Sequence, residues 1–170
     1  MVLKPQDIVI LLKIVALKGS EWSYPSLAHC LSMSVSEVHA GIKRAQQARL
    51  IDPEKRLPLK SAFEEFLIYG VKYAFPPTRG GLVRGMPTGY AAPPLIDTII
   101  QPNEPPPVWP FVEGTVKGQE FSPLYKSVPI AASRDDSLYE LLALIDAIRD
   151  GRSREKNLAI DEIKSRLKAI

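Results

Sequence analysis

The chain has 170 residues, with 22 Lys and Arg against 19 Asp and Glu, so its net charge of +3 is too small to indicate nucleic-acid binding by itself. A single Cys excludes an intramolecular disulfide framework, and one Cys with two His excludes most zinc modules. The longest apolar stretch, Ile8 to Leu17, is too short to span a bilayer and no signal peptide is recognisable, so we expect a cytoplasmic protein without a membrane segment, metal site or cofactor.

The prolines divide the chain into three parts, because 12 of the 16 fall between Pro76 and Pro129. We predict an N-terminal domain at residues 1–75, an ordered proline-rich segment that wraps across it at 76–134, and a C-terminal helical hairpin at 135–170. The charge excess lies in the first of these parts.

Apolar residues at helical spacing predict three helices in the first part. The first covers residues 5–17, and a shorter second helix covers 23–31 with a serine as its candidate N-cap. The third covers 34–49 and begins with a match to the S-x-x-E capping box, formed by Ser34 and Glu37.

The second and third helices are separated only by Ser32 and Met33, which is the pattern of a helix-turn-helix. Ala28 is small enough to let the two helices cross closely, and Val38 and Ile42 face the core. The remaining side chains of the third helix form the surface that such motifs place in the major groove of DNA. They are Ser36, Glu37, His39, Ala40, Lys43, Arg44 and Gln47.

With the tail Lys43–Asp52 that follows, the stretch from Lys4 to about Leu67 resembles the winged helix-turn-helix DNA-binding regulators of the MarR-like and Lrp-like types. The resemblance implies a dimeric transcriptional regulator that inserts the recognition helix, residues 34–49, into the major groove of double-stranded DNA. Two departures stand out: Ser32 occupies a turn position that is often Gly, and the segment between Ile51 and Leu59 is too short for a long wing.

We assign the DNA contacts by their place on this helix. Ser34 and the helix N-terminus would hold a phosphate. Base edges would be read by Ser36, His39, Ala40 and Lys43, while Arg44 and Gln47 would grip the DNA backbone. Lys55 and Arg56 in the shortened wing would contact phosphate. Glu37 is either a base reader or only the second member of the capping box.

A fourth helix is predicted at residues 59–74, ending before Pro76 and Pro77; it closes the domain core or pairs with a second copy. The C-terminal part predicts two helices, at 135–150 and 153–170, separated by Gly151. This hairpin forms a dimer interface or packs back on its own chain. The predicted fold class is therefore mainly α: a winged helix-turn-helix domain with a proline-rich irregular extension and a C-terminal hairpin.

The proline-rich segment is too apolar for a disordered linker. We predict short extended pieces at 95–100, 108–112 and 115–116. Residues 77–87, with two Arg and three Gly, are either a phosphate-binding loop or a flexible connector. Residues 105–110 form either a polyproline docking strip for a protein partner or, with Trp109, part of the chain's own core.

No known catalytic motif is present, so we expect no enzyme. The preferred function is sequence-specific DNA binding. The alternative is a protein-binding adaptor, in the manner of an antitoxin, that uses the proline-rich segment and the C-terminal hairpin.

Overall fold

The structure is a computed structural model that describes residues 1–170. Its first three helices lie close to their predicted bounds, with α1 at Pro5–Ala16, α2 at Tyr24–Leu31 and α3 at Val35–Gln47. Ser23 and Ser34 cap α2 and α3 by accepting hydrogen bonds from backbone N–H groups of the first turn. The sequence prediction for this part is therefore confirmed at the level of secondary structure.

The predicted fourth helix is present but is not uniform. It consists of α4 at Lys60–Glu65, a π-helical turn at Phe66–Gly70, and α5 at Val71–Ala74, which follow one another without a break. Phe63 and Leu67 are fully buried and belong to the hydrophobic core. This helix therefore helps to close the core, which is one of the two expected alternatives.

The middle segment contains a small three-stranded sheet. The extended pieces predicted at 108–112 and 115–116 coincide in part with two of its strands, whereas its long first strand and the pairing of the strands are not predicted. Its strands are β1 at Arg79–Pro87, β2 at Pro107–Pro110 and β3 at Val116–Phe121. Helices still make up more than half of the chain, so the mainly α prediction is confirmed in part: the chain is mixed α/β rather than purely α. The connector interpretation of residues 77–87 is wrong, because most of them form β1, and the extended piece predicted at 95–100 begins instead with a 3₁₀ turn at Leu95–Asp97.

Each strand pairs with both of the others, so the three strands close on themselves. β1 is antiparallel to β2 and to β3, and the two shorter strands run parallel to each other. Such close packing depends on Gly85 and Gly118: a Cβ atom would lie 2.0 Å from the carbonyl oxygen of Trp109 at the first position and 2.1 Å from that of Pro106 at the second. Pro107 and Pro110 stand at the two ends of β2, where a missing N–H disturbs the sheet least.

The C-terminal part contains α6 at Val128–Ser133, α7 at Asp136–Asp150 and α8 at Ser153–Lys168. The predicted hairpin of α7 and α8 is present. Every residue of α7 from Leu141 to Arg149 is buried, and the helix packs against α1, α5, α6 and α8. A helix buried on all sides is a core element, so α7 follows the alternative in which the hairpin packs on its own chain.

One hydrophobic cluster of 36 buried residues joins all three parts of the sequence, from Ile8 to Leu167. Trp109 is fully buried within this cluster. Pro107 and Val108 are also buried, so the structure favours the core-packing alternative for these residues over an exposed polyproline strip. No helix has the length and apolar character needed to cross a membrane.

A buried polar network ties α7 to the sheet. Asp146 is 2% exposed, and its Oδ2 accepts hydrogen bonds of 2.7 Å from both Thr88 Oγ1 and Trp109 Nε1. Its Oδ1 accepts from Arg149 Nη1 at 2.8 Å, and Arg149 also donates to the backbone oxygens of Phe75 and Ser122. Burial raises the pKa of Asp146, while the charge of Arg149 and the three hydrogen bonds oppose that rise.

Candidate nucleic-acid interface

The turn between α2 and α3 fixes where α3 begins. Ser32 ends α2 in the left-handed conformation, with φ of 52° and ψ of 44°, although this region favours Gly. The next residue, Met33, is buried beneath the turn and its N–H donates to the carbonyl oxygen of Ala28. Val38 and Ile42 then bury one side of α3 against the core. The opposite side of α3 is thereby directed away from the molecule.

Ser34 and Glu37 form the predicted capping box. The backbone N–H of Ser34 donates to Glu37 Oε2 at 2.7 Å, and the N–H of Glu37 donates to Ser34 Oγ at 3.1 Å. Both side chains are therefore engaged in holding the helix N-terminus. Ser36 Oγ lies 3.1 Å from Ser34 Oγ and is exposed.

Four of the predicted DNA-contacting residues share one exposed stripe. Ser36, His39, Lys43 and Gln47 are exposed, and their spacing of three or four residues places them on the same face of the helix. Ala40, within this stripe, is half-buried. The His39 ring lies 5.0 Å from the Tyr24 ring of α2, measured between centroids, so α2 supports its position.

Arg44 does not belong to this exposed stripe. Its Nε and Nη2 each donate to a carboxylate oxygen of Asp7 at 2.8 Å, and the Asp7 side chain is completely buried. Gly41 sits at the same crossing, where a Cβ would lie 2.9 Å from Asp7 Oδ1. The hydrogen bonds to Asp7 raise the pKa of Arg44. We therefore correct its predicted role: Arg44 holds α3 against α1 and is not free to grip DNA.

The predicted wing is reduced to a single β-bridge between Ile51 and Pro58. Asp52 Oδ1 accepts hydrogen bonds from two backbone N–H groups of the loop, which lower the pKa of Asp52. Arg56 lies with its guanidinium carbon 4.0 Å from the ring centre of Trp22 and donates to the Trp22 carbonyl oxygen. Lys55 is exposed and makes no ion pair. Both cations lie at the surface, Arg56 with a fixed orientation.

Three residues of the middle segment lie near the start of α3, a proximity that the sequence pattern does not reveal. The Tyr125 hydroxyl donates a hydrogen bond to Glu37 Oε1. Its neighbour Lys126 is exposed and close enough to help lower the pKa of Glu37. Arg134 is exposed and its Nη1 lies 3.4 Å from Ser32 Oγ in the turn. No local sequence signal shows these contacts, since they join positions about 90 to 100 residues apart.

The contact between Tyr125 and Glu37 makes a pH-dependent contribution to stability. The pKa of Glu37 is lowered from its usual 4.5, mainly by the Tyr125 hydroxyl and then by the N–H of Ser34. A carboxylate whose pKa is lower in the folded than in the unfolded protein stabilises the fold. This contribution is complete above the pKa of the unfolded protein and disappears as pH falls through the pKa of the folded protein. We expect Tyr125→Phe to lower the free energy of unfolding by less than about 1 kcal/mol at pH 7, because Glu37 is largely solvated. Below about pH 4 this difference should shrink.

Urea unfolding of both proteins between pH 7 and pH 3 measures this effect. Tyr69→Phe is the matched control, because the Tyr69 side chain is 66% exposed and its hydroxyl makes no hydrogen bond to the protein. A difference between Tyr125→Phe and the wild type that stays constant over the whole pH range would contradict the expected coupling.

No family model, curated protein or solved structure matches the chain. Its function is therefore inferred from its own residues and their geometry.

Proposed function

We propose that the chain is a sequence-specific DNA-binding regulator that places α3 in the major groove. The observation that carries the proposal is the exposed stripe of Ser36, His39, Lys43 and Gln47 on a helix that a tight turn and a capping box hold in place. An α-helix fits the width of the major groove, where polar side chains can reach the base edges. The turn and the buried face of α3 supply the rigid support that such reading needs.

Within this proposal the residues take different parts. Ser36, His39 and Lys43 read base edges, and the half-buried methyl group of Ala40 lies between them for contact with a thymine methyl. Gln47, one turn further along the stripe, contacts the DNA backbone. Ser34 and Glu37 position the helix rather than read DNA, because each is hydrogen-bonded within the capping box.

The cations around α3 support backbone contacts on both sides of the helix. Lys55 and Arg56 lie in the short loop after α3, while Lys126 and Arg134 lie near its N-terminus. Cations placed around a reading helix bind phosphates and fix its register on the duplex. Affinity for DNA depends on the phosphates that such side chains neutralise, so these four cations matter more for binding than the small net charge of +3.

We further propose that two copies bind together. One recognition helix reads only a few base pairs, and paired modules read two half-sites about one helical turn apart. The expected binding site is therefore a palindrome with half-sites separated by about 34–36 Å.

Selection of bound fragments from a random DNA library tests the proposal directly, followed by anisotropy titrations on the enriched sequence. Lys43→Ala is expected to weaken binding to this sequence by about 1–3 kcal/mol if the side chain reads a base. The double variant Lys126→Ala/Arg134→Ala should reduce the slope of log affinity against log salt by about one for each phosphate that is no longer neutralised.

Lys164→Ala is the matched control, because Lys164 is an exposed lysine on α8 that is not part of the stripe. Its binding curve should equal that of the wild type. The proposal fails if no sequence is enriched, or if Lys43→Ala and Lys164→Ala give the same affinities as the wild type.

A second function, binding of another protein through the middle segment, has one observation in its favour. Ile100 and Val112 are 95% and 90% exposed, although both are apolar and lie in an otherwise ordered segment. Single exposed apolar residues are common on protein surfaces, so this observation is weaker than the α3 stripe. Failure of the DNA selection would make this adaptor function the preferred one.

A further inference from the structure

A polar cavity of about 440 Å³ opens where the start of β1 meets the corner between α7 and α8. None of its lining residues belongs to the α3 stripe. Its volume lies within the range of about 300–1,000 Å³ that is usual for small-molecule sites. Unlike most such sites it is lined mainly by charged and polar groups, a lining that suits a small, charged ligand.

Two arginines line the cavity, and carboxylates orient both: Asp150 pairs with Arg79, while Glu104 and, at 4.0 Å, Glu155 pair with Arg152. Arg79 Nε donates to Asp150 Oδ2 at 2.8 Å, and its Nη1 donates to Gln119 at 3.2 Å. Arg152 Nη2 donates to Glu104 Oε1 at 2.6 Å. A guanidinium has five N–H donors, so both arginines keep donors that no protein group accepts. These remaining donors suit the planar oxygens of a carboxylate or the oxygens of a phosphate.

The carboxylates of the cavity also keep unused capacity. Asp150 Oδ1 and Glu104 Oε2 accept no hydrogen bond from the protein, although the other oxygen of each carboxylate is paired. With Glu155, the lining has three carboxylates against two arginines, so its formal charge is −1. This balance disfavours a simple anion and favours a ligand that also carries a positive charge.

Backbone geometry leaves room beside these charges. The pairing of β1 with β3 shifts between Arg79 and Leu82, which makes Gly80 and Gly81 a bulge in the wall of the cavity. Nothing lies within 4 Å of the position of a Cβ at Gly81. Tyr90 forms part of another wall and donates to Glu104 at 3.3 Å; burial raises its pKa to about 12, so its hydroxyl keeps its proton.

We propose that this cavity binds a small zwitterion, whose anionic group is held by Arg79 and Arg152 and whose ammonium group is held by Asp150 and Glu104. Each side chain contributes the donors or acceptors that its ion pair leaves unused. The exposed pair of Arg152 and Glu104 stabilises the fold little, so the two side chains can shift to admit a ligand at low cost. The anionic group is a carboxylate or a phosphate, and the two are separated by the probes below.

The test is a titration of the ¹⁵N-labelled full chain, in which binding is monitored through the amide NMR signals of Gly80, Gly81 and Arg152. The probes are β-alanine and phosphoethanolamine as the two zwitterions, and inorganic phosphate and ethanolamine as single-charge fragments. At least one zwitterion should give saturable shifts at these amides with a dissociation constant at least about tenfold lower than either fragment. Preference between β-alanine and phosphoethanolamine identifies the anionic group.

Arg79→Gln and Arg152→Gln should each weaken this binding at least about tenfold, because each removes charge-assisted hydrogen bonds. Arg154→Gln is the matched control, since Arg154 is exposed two residues further along and does not line the cavity. Unchanged amide dispersion in each variant shows that it is folded. The proposal is overturned if neither zwitterion gives saturable shifts up to about 10 mM, if the fragments bind equally well, or if the control variant loses binding equally. None of these results bears on DNA binding by α3.

Discussion

Asp146→Ala is expected to lower the free energy of unfolding by about 3–5 kcal/mol, because it removes one partner of a buried charge pair. Arg149 would keep its charge at 3% side-chain exposure without a carboxylate, and Thr88 and Trp109 would each lose the acceptor for a buried hydrogen bond. A loss of this size is a large part of the 5–15 kcal/mol that usually stabilises a domain. Urea unfolding, monitored by circular dichroism, measures this loss in the free energy of unfolding.

Asp150→Ala is the matched control on the same helix. Asp150 also pairs with an arginine at 2.8 Å, but its side chain is 46% exposed, so we expect a loss below about 1 kcal/mol. Asp146→Asn keeps the shape of the side chain and one acceptor oxygen, so its loss of stability should lie between those of Asp146→Ala and Asp150→Ala. This variant also allows the measurement if Asp146→Ala does not fold. Equal losses for Asp146→Ala and Asp150→Ala would show that the buried network adds nothing beyond a surface ion pair.

The helices were predictable because their signals are local. The Ser34 and Glu37 capping box, the apolar spacing of α1 and the stop near Gly151 each depend on residues within a turn or two of one another. The structure confirms the start of α3 at the predicted N-cap, Ser34. Local signals of this kind depend little on the rest of the fold.

The sequence indicates extended pieces at 108–112 and 115–116 but neither β1 nor the pairing of the three strands, because the signals for these are not local. β1 has the sequence of a glycine-rich loop, Arg79-Gly80-Gly81-Leu82-Val83-Arg84-Gly85. Of its three glycines, Gly85 suits the strand because the backbone of β2 approaches it closely. The partners of Gly85 are supplied by residues 25 or more positions later. Proline density also argued against strands, yet β2 places its prolines at its ends.

The candidate interface was predictable in part, for a related reason. Helical periodicity correctly separated the buried Val38 and Ile42 from the exposed His39 and Lys43. It could not show that Arg44, at the border of the two faces, turns toward α1. Nor could it show that Tyr125 reaches Glu37, since both contacts depend on how distant segments pack. Periodicity assigns a face to each residue but not the partner that it meets there.

Arg44→Ala is the second variant for which we expect a large effect, and the effect should be on stability rather than on DNA binding. The substitution leaves the Asp7 carboxylate fully buried without its bidentate partner, so the free energy of unfolding should fall by about 3–5 kcal/mol. The only hydrogen bond that remains to this carboxylate comes from the N–H of Lys4 at 2.9 Å, which is too little to offset the desolvation of the charge.

The double variant Asp7→Ala/Arg44→Ala separates this role from phosphate binding. If the two residues act as a pair, its loss of stability should be smaller than the sum of the losses in the single variants, because no buried charge is left unpaired. Measured well below the unfolding transition, the double variant should also keep the salt dependence of DNA binding shown by the wild type. A salt slope reduced by about one, with additive losses of stability, would instead return Arg44 to the DNA backbone and contradict the ion pair with α1 as its main function.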